Sequence, residues 1–266
     1  MRLCSIASGS SGNCIYVGSE ATHLLVDVGI SGKRTEAGLN SLGLTANDLD
    51  GILITHEHMD HINGLGVFAR KYDIPIYATV GTIEAIKSCS KYSKLDDSLF
   101  HTVQADRKLI IKDLSINPIR ISHDAADPVA YRIGYGSKKV GICTDLGVYN
   151  DYTVECLRGM DAVLLEANHD VNMLQVGSYP YYLKQRILGE RGHLSNENSG
   201  KLLSRILHDK LQAIILGHLS RENNLPELAY EAVRMEITLG DNPFKANDFH
   251  MQVADRGEVS PIINIA

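Results

Sequence analysis

Three histidines and an aspartate, all able to bind a metal ion, fall within the six positions His56-Glu57-His58-Met59-Asp60-His61. His56 and His58 stand two residues apart. In an extended turn such residues face the same way, so both imidazoles can grip one cation. Asp60 and His61 are adjacent where a helix is expected to begin, and can turn towards a second. Imidazoles with few carboxylates suit zinc, or manganese where oxygen ligands and water complete the shell. The bland alternative is a polar helix cap with surface histidines. Against it stands the apolar run Ile52-Leu53-Ile54-Thr55, which reads as a buried strand delivering His56 at its end.

The same plan recurs along the chain. Leu24-Leu25-Val26 precedes Asp27, Ile119-Arg120-Ile121-Ser122 precedes His123, and Ile142-Cys143-Thr144 precedes Asp145. Ile214-Ile215-Leu216-Gly217 precedes His218. Buried strands that end on one edge of a sheet project their terminal side chains into a shared crevice. Recurrence at points far apart in sequence predicts a single constellation.

Strand-like and helix-like segments alternate to the end of the chain, without a low-complexity linker or an internal repeat. Strands are expected at 3–7, 14–17, 23–28, 51–55, 76–78, 109–117, 119–122, 130–134, 139–143, 162–165, 213–216 and 249–253. Helices are expected at 31–42, 62–72, 80–88, 195–208 and 226–237, with 173–187 helical in its second part. Strands from both halves surrounded by helices predict a layered α/β sandwich rather than a doubly wound parallel sheet. One domain, 1–266, is expected. The 44% hydrophobic and 22% charged content are ordinary for a globular chain, and the net charge of −6 announces no global nucleic-acid binder, so any basic surface must be local. Five scattered cysteines without a C-x-x-C pair argue against disulfide stapling and for a reducing cytoplasm. No apolar stretch approaches the ~20 residues of a membrane span, and no membrane partner is expected.

These motifs together resemble the metallo-β-lactamase superfamily: Asp27 fits its first motif, His56 to His61 the second, His123 the third, Asp145 the fourth and His218 the fifth. The resemblance implies a four-layer αβ/βα sandwich with two divalent metal ions, Zn2+ or Mn2+, between two sheets. It assigns one metal to His56, His58 and His123, the other to Asp60, His61 and His218, with Asp145 bridging. Asp27 would orient a ligand imidazole. Asp124, beside His123, is a competing candidate for the first metal.

Substrate class rests on further stretches. Gly192-His193-Leu194-Ser195 resembles the nuclease branch, which makes His193 a candidate general acid. The segments Glu166-Ala167-Asn168-His169-Asp170, Tyr179-Pro180-Tyr181-Tyr182-Leu183-Lys184 and Leu219-Ser220-Arg221-Glu222-Asn223-Asn224 look like the YycJ/WalJ group, associated with 5′-to-3′ exonuclease action on DNA. The implied function is a two-metal phosphodiesterase whose metal-held hydroxide attacks phosphorus, with Asp60 accepting a hydrogen bond from the nucleophile and His193 protonating the leaving oxygen. Tyr182, Lys184 and Arg186, with Tyr179, Tyr181 and Arg191, form a local basic and aromatic stretch that can stack on bases and contact phosphates; a solvated helix is the alternative. Arg221 and Asn223 are further phosphate-contact candidates. His169 faces the cleft or fixes its own loop, and Asn13 lies on the cleft floor or stabilises its turn. Two other functions stay open: hydrolysis of a thioester, lactone or cyclic phosphodiester, and a metal-stabilised regulatory or binding protein. The sequence leaves zinc against manganese, DNA against RNA, end polarity and oligomeric state undecided.

Overall fold

A computed structural model describes residues 1–266. The first half supplies β1 (Arg2–Ala7), β2 (Cys14–Gly18), β3 (His23–Val26), α1 (Gly32–Ser41), β4 (Gly51–Leu53), α2 (Met59–Ile62), α3 (Leu65–Tyr72), β5 (Ile76–Ala78), α4 (Val80–Ser88) and β6 (Phe100–Thr102). The second supplies β7 (Leu109–Ile111), β8 (Leu114–Arg120), β9 (Val129–Tyr135), β10 (Lys138–Cys143), α5 (Asp151–Leu157), β11 (Ala162–Glu166), α6 (Val171–Val176), α7 (Tyr181–Leu188), α8 (Asn196–Ile206), β12 (Ala213–Gly217), α9 (Pro226–Leu239), β13 (His250–Val253) and β14 (Ile263–Asn264). Two mixed sheets result, in the orders β14-β1-β2-β3-β4-β5-β6 and β13-β12-β11-β10-β9-β8-β7.

The sheets stack face to face, with helices on both outer faces. Leu24, Val26, Leu53, Tyr131, Ile133, Ile142, Leu164 and Ile215 fill the space between them. Their strand neighbours point outward: Leu25 and Ile52 meet Leu39 and Phe68, while Val163, Leu165 and Leu216 meet Leu202 and Val233. Strands covered on both faces must be apolar at every position, which explains the continuous apolar runs that precede Asp27, His56 and His218. β8, which leads to His123, instead alternates, with half-buried Ser115 and Asn117 and an exposed Arg120. These are the four layers of the expected sandwich.

β3 pairs parallel with β4, and β10, β11 and β12 pair parallel in turn, so their C-terminal ends share one edge of the molecule. Val129 N donates to Thr55 O (3.0 Å), joining the two sheets at that edge. Asp27, Asp145 and His218 all adopt left-handed backbone there, with φ of 63°, 56° and 56°. Outside glycine this conformation costs about 1–2 kcal/mol per residue. Its repetition at three strand ends shows where strand alternation is sacrificed to aim a side chain.

Some elements differ from the sequence expectation. The run 109–117 is not one strand: it turns back at Lys112 (φ 49°), giving the β7–β8 pair. β8 then runs on through Pro118, whose carbonyl accepts from Asp106 N on the side away from β9, so its missing N–H breaks no strand pair. α5, capped by the Asn150 side chain on Thr153 N (3.1 Å), was not expected. The segment 173–187 divides into α6 and α7 around Gly177 and Pro180.

Candidate metal centre

His58 has extended backbone and caps α2, so Asp60 and His61 occupy that helix's first turn beside the end of β4. The loop after β3 crosses this turn at Gly29, where an added Cβ would lie only 1.7 Å from the Asp60 carbonyl oxygen. No side chain fits there. The Asp27 carboxylate accepts from Thr55 N and Thr55 Oγ1 (both 2.8 Å) and lies 2.7 Å from His61 Nδ1. With Nδ1 donating to Asp27, His61 presents Nε2 as a lone pair, 3.0 Å from Asp145 and 3.5 Å from Asp60. Burial opposes a charged ring, but Asp145, Asp60 and Asp27 hold the His61 proton well above the usual histidine range.

Three groups of ligand-type atoms lie within 4.8 Å of one another: His56, His58 and His123; Asp60, His61, Asp145 and His218; and, sharing Asp145 and His218 with the second, Asp145, Glu166, His193 and His218. His123 Nδ1 is 3.1 Å from the Gly192 carbonyl, which leaves its Nε2 facing His58 Nδ1 at 3.2 Å. His56 Nε2 is buried without any hydrogen-bond partner. Burial holds that ring well below the usual histidine range, with His61 adding to the effect. A neutral, buried, orphaned nitrogen beside two other imidazoles fits a cation, and the imidazole–carboxylate chemistry of the second cluster fits another. The structure brings together the side chains singled out from the sequence, with Asp145 in the second group and 3.7 Å from His123 Nε2 of the first.

Asp124 stands differently. Both its oxygens are engaged by Arg186, through Nε and through Nη2 at 2.9 Å, while Oδ1 is 3.5 Å from His123 Nε2. Its carboxyl is pulled below the usual range by Arg186 and His123 against the opposing effect of burial. His123 falls within the first cluster, while Asp124 stands beside it, its Oδ1 3.9 Å from His58 Nε2.

Sequence reasoning passed over Glu166 as a site residue. It ends β11, fully buried, and Oε1 lies 2.8 Å from His193 Nδ1 and 2.9 Å from His218 Nδ1. Oε2 accepts from Leu146 N (2.7 Å) and Leu194 N (3.3 Å). Burial raises its pKa, yet the two histidines hold it down at about 2. They gain in return: burial notwithstanding, His218 is pushed up to about 10 by Asp145, Asp60 and Glu166, and His193 is raised by Glu166. Asn168, also missed, donates from Nδ2 to the His218 carbonyl (2.9 Å). The signal was present, since Ala162-Val163-Leu164-Leu165 before Glu166 is one more apolar run ending in a ligand-type residue.

The remaining candidates scatter. Asn13 lies beside the centre, its Nδ2 3.2 Å from His61 Nε2 and 3.2 Å from the Gly9 carbonyl, so it serves both floor and turn. Tyr181 and Tyr182 are 77% and 74% exposed on α7. Lys184 Nζ is fastened to the Gln175 and Gly177 carbonyls (2.8 and 2.7 Å) and ties α6 to α7. Arg191 Nε donates to the His123 carbonyl (3.1 Å). His169 and Asn223 are buried with unpartnered side chains, whereas Arg221 is exposed.

Residues 22–218 match the family model described as the beta-lactamase superfamily domain. The chain belongs to that superfamily. Within it, the chain is 41% identical over 236 residues to exodeoxyribonuclease YycJ of Bacillus anthracis, covering 86% of each chain. It is 42% identical to exodeoxyribonuclease WalJ of Streptococcus pneumoniae, covering 89% of this chain and 88% of that one. Among solved structures, the metallo-β-lactamase fold protein YhfI from Bacillus subtilis superposes with a TM-score of 0.72 at 18% identity, covering 97% of this chain and 98% of that one. The chain is thus a hydrolase of the metallo-β-lactamase fold and belongs with the YycJ/WalJ group. No helix is long and apolar enough to cross a membrane.

Proposed function

We propose that this hydrolase is a two-metal phosphodiesterase degrading DNA from the 5′ end, in the cytoplasm. The observation that carries the reading is His193: Glu166 takes its Nδ1, so the ring presents Nε2, and the side chain keeps 14% exposure beside the metal-type cluster. A raised pKa keeps a proton available near neutrality for a departing oxygen, as a general acid requires. The names of the YycJ and WalJ relatives support DNA as substrate.

His56, His58 and His123 would hold one divalent cation, and Asp60, His61 and His218 the other, with Asp145 shared. Zinc or manganese suits these donors. Such ions, when bound, neutralise phosphodiester oxygens and acidify water for attack on phosphorus. The chain's own groups do the rest. Asp27 fixes the His61 ring, Glu166 fixes His193 and His218, and Asp60 accepts a hydrogen bond from the attacking water. Exposed Tyr181 and Tyr182 offer stacking faces, and Arg186 offers a cation at the cleft rim.

Duplex DNA labelled at either end, incubated with zinc- or manganese-loaded protein, tests this directly. Labelled mononucleotide should appear first from 5′-labelled substrate. Hydrolysis of thioesters or lactones with no release of nucleotides would reject it.

A further inference from the structure

At the opposite end of the second sheet lies a cavity of about 260 Å3 lined by Lys108, Ser115, Asn117, Arg132, Gly134 and Lys139, together with Ile133 and Gly136. Strand register explains why they meet. Ser115, Gly134 and Lys139 form one row across β8, β9 and β10; Asn117, Arg132 and Gly141 form the next. Tyr131 and Ile133, on either side of Arg132, fill the inter-sheet core, so strand alternation sends Arg132 and its row-mates to the outer face. Gly134, lacking a side chain, leaves the hollow between Ser115 and Lys139.

The electrostatics of this hollow are unusual for a chain of net charge −6. Three cationic side chains line it and no carboxylate does. None of the three forms an ion pair. The nearby carboxylate, Asp161, is occupied by Lys138 Nζ (3.5 Å) and the Lys139 backbone N–H (2.9 Å). Arg132 Nε is buried with no hydrogen-bond partner. A buried guanidinium nitrogen without an acceptor is costly, and unrelieved like charges add to that cost. The Asn117 amide puts a neutral donor on the same wall, beside the Ser115 hydroxyl, which donates to the Gly134 carbonyl (3.4 Å).

We propose that this hollow is a phosphate-binding site separate from the metal centre, which takes a phosphate dianion either free or as the end group of a small phosphorylated molecule. A guanidinium fork, two ammonium groups and the Asn117 amide match a multi-oxygen dianion better than a single carboxylate. The space admits a phosphate and part of what it is attached to, but not a nucleic-acid duplex. The ends of β8, β9 and β10 that carry the site lie away from the edge where Val129 meets Thr55 beside His56, so occupancy leaves the metal centre open.

Titration calorimetry of the metal-loaded protein with inorganic phosphate, and separately with a nucleoside monophosphate, tests the assignment. Phosphate can also meet the metal centre, so the informative quantity is the difference between wild type and Arg132→Gln or Lys139→Gln. A binding event weakened at least tenfold in Arg132→Gln, and less in Arg132→Lys, supports the site; unchanged metal content and hydrolysis show that the variants are folded. Binding of inorganic phosphate alone identifies the free ion, and binding of both probes identifies the end group. Superimposable isotherms for wild type and Arg132→Gln with both probes overturn the proposal.

Discussion

Glu166 Oε1 lies 2.8 Å from His193 Nδ1, and the same oxygen lies 2.9 Å from His218 Nδ1. One buried carboxylate therefore sets the ring orientation of a residue in the metal-type cluster and of the proposed proton donor. Glu166→Gln keeps the shape but replaces one acceptor with a donor. It should lower kcat by about 10–100-fold, the usual cost of losing a partner that orients a ligand. His193→Ala should lower kcat by about 10²–10⁴-fold with metal stoichiometry unchanged. Steady-state kinetics beside elemental analysis decide the matter; full turnover in His193→Ala would remove it from the mechanism.

Arg186 grips Asp124 side-on through Nε and Nη2, which leaves its Nη1 edge free at the rim. Arg186→Lys keeps the charge and loses the fork, so KM for DNA should rise about tenfold with kcat nearly unchanged, the mark of lost uniform binding. Asp124→Asn should raise KM similarly while retaining full metal content. Loss of one metal equivalent in Asp124→Asn would instead make Asp124 a ligand.

Gly29 has no room for a methyl group, because the obstacle is the Asp60 backbone and not a flexible side chain. Gly29→Ala should cost at least ~1–3 kcal/mol and displace the turn that carries Asp60 and His61. Chemical denaturation and zinc affinity should fall together. Unchanged affinity would show that the turn can move freely.

His23 offers a pH test away from the centre. Its Nδ1 is 2.9 Å from Tyr16 Oη, and burial, with Arg2 adding repulsion, lowers its pKa from the usual 6.5. The unfolded chain then binds the proton more readily than the folded one. The contribution of neutral His23 is fully present above about pH 6.5 and is lost as pH falls through the lowered folded value. The difference in urea midpoint between wild type and His23→Gln should shrink between pH 7.5 and pH 5. A constant difference would contradict the assignment.

Chelation supplies a last check. Charged and imidazole groups packed this closely are held together more firmly with cations between them, because a ligand that binds only the folded state stabilises it by mass action. Treatment with EDTA should lower Tm, and zinc or manganese should restore it. A Tm indifferent to chelator would exclude a cation from both clusters.

Much of this site was written along the chain. Apolar runs ending in Asp27, His56, Asp145 and His218 are legible because a strand covered on both faces has no polar position until it leaves the sheet; the run before His123 is broken by Arg120, which β8 leaves exposed. The triplet spacing of His56, His58 and His61 is equally local. What the sequence left open needed partners distant along the chain: Asp124, the competitor of His123, has its carboxylate gripped by Arg186, 62 residues away. The role of Glu166 depends on His193 and His218 arriving from α8's entrance and β12's end. The left-handed turns at Asp27, Asp145 and His218 are likewise conformations that local preference resists, and packing at the shared sheet edge imposes them. Residue type and strand pattern determined what could bind; only three-dimensional packing decided which atoms are free to do so.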